Sequence, residues 1–334
     1  MIVGEAWGRE EALARAPFVG SEGKILNGML SQVGIDRRDC YLTNVFNLQP
    51  EPSNDITNLC GPKLGGIPWM PFLQQGKYVR AEYADELTRL YSEITTYNPT
   101  LIIALGAAAS WALLRTSGIR RVRGAPSLMT LGDRQYKVLP TYHPAAVMRE
   151  FTLRPIVVAD LEKARREAEF PELRRPRREI WVEPTLADLE HFEREFILTA
   201  DDLSVDIETA QEQITCVGFA PGHERAIVVP FVDALKADGN YWSTLADELV
   251  AWSYIRRWLK LAKRIGGQNF LYDTHWLWRK YGLAIPHSAF DTMLMHHAMQ
   301  PELEKGLGFL GTIYTDELGW KFMRAKHETL KKED

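Results

Sequence analysis

The chain has 334 residues, 46% hydrophobic and 25% charged, with a formal net charge of −4. That length suits two domains, each able to bury its own core, and the slight acidic excess excludes a protein that holds nucleic acid by bulk charge. No apolar run reaches the length of a membrane-spanning helix and Met1-Ile-Val-Gly-Glu5 is not a secretory leader, so no membrane contact and a cytoplasmic location are expected. Cys40, Cys60 and Cys216 lie far apart with no CxxC pair, which excludes a disulfide framework and any metal cluster evident from spacing.

In chain order, Met1-Ile-Val3 reads as a strand running into a glycine-rich turn, and Ser21 to Val33 has helical periodicity. Cys40-Tyr-Leu-Thr43 is a strand, Tyr83 to Tyr97 a helix, Leu101-Ile-Ile-Ala104 a buried strand, and Ala107 to Leu114 a helix. Tyr136-Lys-Val-Leu139 follows as a strand and Pro155 to Ala168 as a long helix. Such alternation predicts a parallel sheet covered by helices on both faces, with ligands bound beyond the carboxyl ends of the strands. Those ends are Gly4-Glu-Ala-Trp-Gly8, Asn44, Gly106 and Thr141-Tyr-His-Pro144. Between Gln49 and Arg80 the chain is rich in Pro and Gly, too irregular for helix or strand; a loop of that length is a functional surface or disordered. Residues 1–170 carry 20 Lys and Arg against 18 Asp and Glu, and the remainder 20 against 26. The basic cluster Arg115, Arg120, Arg121 and Arg123 surrounds Gly118 and Gly124 in a loop suited to tracking phosphates.

Gly4-Glu5-Ala6-x-Gly8 with Glu10-Glu11, then Ala16-Pro-Phe-Val-Gly20, Leu42-Thr-Asn-Val45, Leu105-Gly106 and His143-Pro144 match a pattern in order. Over residues 2 to about 169 the chain thereby resembles the uracil-DNA glycosylase superfamily, most closely its family 4. A flipped-out uracil is a flat ring with one donor and two acceptors, so its pocket needs an aromatic platform and an amide that both gives and accepts hydrogen bonds. The resemblance implies Phe18 as platform, Asn44 as reader, and Ala6 beside them in the substrate site. It implies catalytic roles for His143, stabilising negative charge on the departing base, and for Glu5, with Glu11 behind it, positioning water or stabilising a cationic sugar. Taken singly, each of these residues has an ordinary structural explanation; the argument rests on their coincidence at consecutive strand ends.

Two departures matter. Family 4 members usually hold an iron–sulfur cluster through a CxxC ahead of the first strand and a Cys shortly after the asparagine; here no such pair exists and Leu48 takes the later place, so no iron–sulfur cluster is expected. Trp7 stands where Pro is usual, a bulky indole able to narrow the pocket or change which base enters.

Residues 171–178 read as a linker around Arg174-Arg-Pro-Arg-Arg178, after which Glu179 to Glu183 alternates as a strand and Thr185-Leu-Ala-Asp188 opens a helix with capping-box spacing. Leu203-Ser-Val-Asp-Ile-Glu-Thr209 is a strand that puts Asp206 and Glu208 on one face and Val205 and Ile207 on the other. Alone, that is an edge strand with an acidic polar face. Followed by Asn269-x-x-x-Asp273 and Asp291-Thr-Met-Leu294, it resembles the 3′–5′ exonuclease domain of the DNA polymerase I family, of DEDD type and ribonuclease H-like fold, over about residues 179–334. The resemblance implies Asp206, Glu208 and Asp273 as ligands to Mg2+ or Mn2+ and Asn269 as a substrate contact, with Asp291 capping the next helix. The family's last helix, with Tyr or His ahead of a final metal-binding Asp, has no counterpart, so weak or absent exonuclease activity is expected.

The sequence therefore predicts an α/β protein of two domains: a glycosylase-like parallel-sheet sandwich at 1–170 and an exonuclease-like α/β domain, C-terminally incomplete, at 179–334. Expected partners are uracil-containing DNA, single-stranded or at 3′ ends, and a separate replicative polymerase. Such a fusion resembles bacteriophage replication or repair factors; the alternative is a non-catalytic DNA-binding accessory protein of phage replication.

Overall fold

The computed structural model describes residues 1–317, so the charged tail from Lys326 to Asp334 lies outside the described residues. Two compact units emerge: Met1–Arg174 together with described residues 306–317, and Arg175–Lys305.

The first unit is built on a five-stranded sheet ordered Leu42–Phe46, Ile2–Ala6, Ile102–Leu105, Arg134–Thr141, Ser127–Leu131. The first four strands run parallel, with Ile2 opposite Leu42 and Ile103, and Ile102 opposite Val138. Successive side chains serve opposite faces, as strand geometry requires. Val3, Ile102, Ala104 and Val138 pack with Leu87, Leu90 and Ile94 of helix Ala84–Tyr97 and Trp111 of helix Gly106–Leu114. Ile2, Ile103, Leu105 and Leu139 pack with Leu26, Met29 and Leu30 of helix Ser21–Gln32 and with Val157 and Leu161 of helix Arg154–Glu167. The fifth strand pairs antiparallel with its neighbour through a turn in which Gly132 has φ +59°.

The segment between Gln49 and Arg80 is ordered. It carries one 3-10 turn and a two-residue ladder, Cys60–Gly61 with Tyr78–Val79. Its Ile56, Leu59, Ile67, Met70, Leu73 and Val79 join the core of one sheet face, and the Trp111 indole N–H donates to Pro71 O at 2.7 Å.

Helix Leu307–Tyr314, which follows the second unit in sequence, groups with the first. The Lys163 ammonium donates to Gly124 O at 2.6 Å, Thr312 O at 2.9 Å and Thr315 O at 2.5 Å. Arg123 donates to Asp160 Oδ1 at 2.8 Å and to Thr312 Oγ1 at 2.5 Å. Here the basic-cluster expectation is corrected: Arg123 is buried and paired with Asp160, so it is not part of a phosphate-tracking loop.

The second unit is also mixed α/β. Its six-stranded sheet runs Ser288–Asp291, Arg264–Gly267, Asp202–Ala210, Gln213–Ala220, Arg225–Pro230, Glu179–Trp181. Asp202–Ala210 alternates as expected, with Leu203, Val205 and Ile207 buried and Asp206 and Glu208 exposed. The Thr185–Asp188 capping box is formed, and Asp291 caps helix Thr292–Met299 by accepting from Met293 N and Leu294 N. Among the described residues no helix is long and apolar enough to cross a membrane.

Candidate active site

At the carboxyl ends of the first unit's strands lies a cavity of about 280 Å³, lined by Glu5, Trp7, Phe18, Asn44, His143 and Arg149 among others. That size sits near the lower edge for small-molecule sites. The parallel register sets Gly4 beside Asn44, and Gly4 is where close approach demands a glycine: a Cβ there would stand 2.2 Å from Asn44 Oδ1 and 2.4 Å from Phe18 Cζ. Asn44 is buried, and its main-chain carbonyl accepts from Arg89 Nη2 at 2.8 Å.

Phe18 is buried, yet its backbone has φ +55°, a left-handed conformation that costs a non-glycine residue about 1–2 kcal/mol. The neighbouring chain holds it there. Arg37 donates to Phe18 O at 2.9 Å and Pro17 O at 3.1 Å. Glu11 Oε1 accepts from Val19 N at 3.1 Å and Gly20 N at 2.8 Å. Glu11 is thus engaged with the loop that carries the aromatic ring.

His143 caps helix Pro144–Arg149, its Nδ1 accepting from Ala145 N at 3.2 Å. That contact needs an unprotonated Nδ1, so in the neutral ring the proton sits on Nε2 as a donor. Burial, helped by Arg149, pushes the imidazole down to about 4, which keeps it neutral at working pH. Its ring lies 6.1 Å from that of Phe18. Glu5 is pushed up to about 7 by burial, with the charges of Glu22 and Asp55 adding and Arg149 opposing. Glu22 is raised for the same leading reason, with Glu11 adding, and its Oε2 lies 3.6 Å from His143 Nδ1. Ala6 lines the same cavity. The structure therefore gathers Glu5, Ala6, Glu11, Phe18, Asn44 and His143 around one pocket.

Sequence reasoning missed Arg37, Glu22, Arg149 and Asn54. Asn54 reaches the pocket from the irregular segment, its Oδ1 accepting from Gln49 Nε2 at 2.9 Å. Only the placement of Arg149 six residues after His143 offered a signal. Trp7 lines the cavity, and its buried indole nitrogen has no hydrogen-bond partner among the described residues.

Cys40 packs against one face of the first sheet and Cys60 against the other, and Leu48 packs into the core.

In the second unit, Asp273 is buried and its Oδ1 accepts from Ile207 N at 2.8 Å, the amide between Asp206 and Glu208. Burial pushes its carboxyl up to about 7, the Ile207 amide opposing and Asp206 adding. Asn269 has φ +55° and donates its N–H to Asp291 Oδ1 at 3.1 Å. Among the described residues no group of three or more His, Cys, Asp or Glu side chains is arranged to hold a metal ion.

At its strand ends the parallel α/β unit thus carries an aromatic-walled pocket with a buried amide and a neutral histidine. Residues 1–167 match the family profile described as the uracil DNA glycosylase superfamily. A type-4 uracil-DNA glycosylase of Archaeoglobus fulgidus is 32% identical over 168 residues, spanning 49% of this chain and 73% of that protein. Those of Pyrobaculum aerophilum (34% over 166 residues, 48% and 74%) and Thermotoga maritima (32% over 173 residues, 49% and 75%) are similar. The chain belongs to the uracil-DNA glycosylase superfamily.

Proposed function

We propose that the first unit removes uracil from DNA by hydrolysing the N-glycosidic bond. The observation that carries this reading is the convergence of Phe18, Asn44 and a neutral His143 on one pocket, with Gly4 leaving the space they share. The extruded base lies along Phe18 while the Asn44 amide pairs with its polar edge. As the bond from base nitrogen to sugar breaks, the electron pair leaves with the base, and His143 Nε2–H stabilises the resulting oxyanion. Glu5, as carboxylate, stabilises the positive sugar and accepts a proton from the water that adds to it. Excision is stronger on single strands, where no partner base need be unpaired. The test compares matched single-stranded and duplex oligonucleotides bearing one uracil or one thymine, scored for abasic sites. Uracil-selective release, faster on the single strand, supports the reading; release of neither base removes it.

For the second unit we propose a 3′–5′ exonuclease-like, ribonuclease H-like domain of weak or lost activity. Asp273, held on the Ile207 amide of the strand that carries Asp206 and Glu208, supports weak binding of Mg2+ or Mn2+ by these carboxylates, with Asn269 as a substrate contact. The described residues do not complete a two-ion site.

A further inference from the structure

We infer that Arg37 is a positioning residue for base selection, forming with Glu11 a two-sided clamp that holds Phe18 in its left-handed conformation; this rests on the proposed role of Phe18 as the base platform. The clamp grips only main chain. Arg37 takes the carbonyls of Pro17 and Phe18, and Glu11 takes the amides of Val19 and Gly20. Four consecutive residues are therefore held by one cation and one anion from different elements. Arg37 is itself fixed by Asn27, whose Oδ1 accepts from Nη1 at 2.7 Å. Helix Ser21–Gln32 presents Gly23 to the loop, and a Cβ there would stand 1.9 Å from Phe18 O, the same carbonyl that Arg37 grips. Any outward step of this backbone carries the Phe18 ring away from Gly4 and Asn44. Because Arg37 lines no part of the pocket, its loss acts through the platform and leaves His143 and Glu5 in place.

The test uses the full chain with Arg37→Gln, Arg37→Lys and Phe18→Ala. Amide hydrogen exchange at Val19 and Gly20 reads the clamp without reference to turnover: it should accelerate about tenfold or more in Arg37→Gln, as expected for loss of charge-assisted hydrogen bonds, and less in Arg37→Lys. Single-turnover excision from a uracil oligonucleotide should show half-saturation rising about tenfold in Arg37→Gln. The pH profile of the bound-state rate should be unchanged, with partial rescue by Lys. Unchanged exchange in Arg37→Gln overturns the clamp whether or not the protein excises uracil. Faster exchange with wild-type half-saturation overturns the link to base selection. If the wild-type protein excises nothing, the failure belongs to the glycosylase reading, and binding of a uracil oligonucleotide takes the place of excision: equal affinity of wild type and Arg37→Gln overturns the proposal.

Discussion

Gly4 and Asn44 face each other across two parallel strands so closely that a single methyl group on Gly4 would stand 2.2 Å from the Asn44 amide oxygen. Gly4→Ala is therefore expected to displace Asn44 or Phe18 and to weaken uracil excision at least tenfold, while overpacking destabilises the fold by about 1–3 kcal/mol. Thermal melting and single-turnover rates check this together. Wild-type rates in a folded variant would show that the close approach is irrelevant to the pocket.

Glu5 sets a pH dependence. Its folded value near 7 lies above the ordinary 4.5, so below about pH 4.5 the side chain is neutral in both states and costs nothing. As pH rises towards 7 the unfolded chain ionises first and stability is lost, on the order of 3 kcal/mol in all. Glu5→Gln should thus gain stability over wild type progressively across this window and no further above it. Excision by wild type should rise through about pH 7, since His143, held near 4, is already neutral there. Denaturant melts and rate profiles from pH 4.5 to 8.5 test both arms. A stability difference that is flat with pH would contradict the burial argument.

Much of the first unit was legible because its signals are local. The four parallel strands are short apolar runs and the site motifs follow them directly. Contacts made at long range were not legible. Arg123 reads as one of four basic residues around a loop until folding sets it against Asp160, 37 residues away, and Thr312, 189 residues away. Arg37 carries no signal of its own, since nothing in the sequence reveals the carbonyls it will reach. Strand Ser127–Leu131 escaped notice because an edge strand with exposed Leu128 and Thr130 carries too little apolar pattern.

The returning helix should be integral to the first unit. Thr312→Val leaves the buried Arg123 short of an acceptor and should destabilise that unit by about 1–3 kcal/mol. Deleting residues 306–334 strands Lys163 as well and should cost about 3–5 kcal/mol. Two-probe denaturation, with intrinsic fluorescence and proteolysis of each unit, measures this. An unaffected first unit in the deletion would show that the helix merely rests on it.

Metal removal should separate the two units. Dialysis against EDTA is expected to leave uracil excision unchanged and to abolish whatever slow 3′ shortening the second unit performs. Elemental analysis should find iron well below the roughly four atoms per chain of a cluster-bearing protein. Strong Mg2+-dependent shortening abolished by Asp206→Ala would instead require a completed two-ion site.

The most direct measurement is abasic-site formation in an end-labelled single-stranded oligonucleotide bearing one uracil, with wild type and Asn44→Ala at stoichiometric protein in EDTA. The account predicts product with wild type and a loss of about 1–3 kcal/mol of base recognition in the variant, seen as a rate lower by about five- to 150-fold. No abasic product from wild type after long incubation, or equal rates from the two proteins, would contradict it.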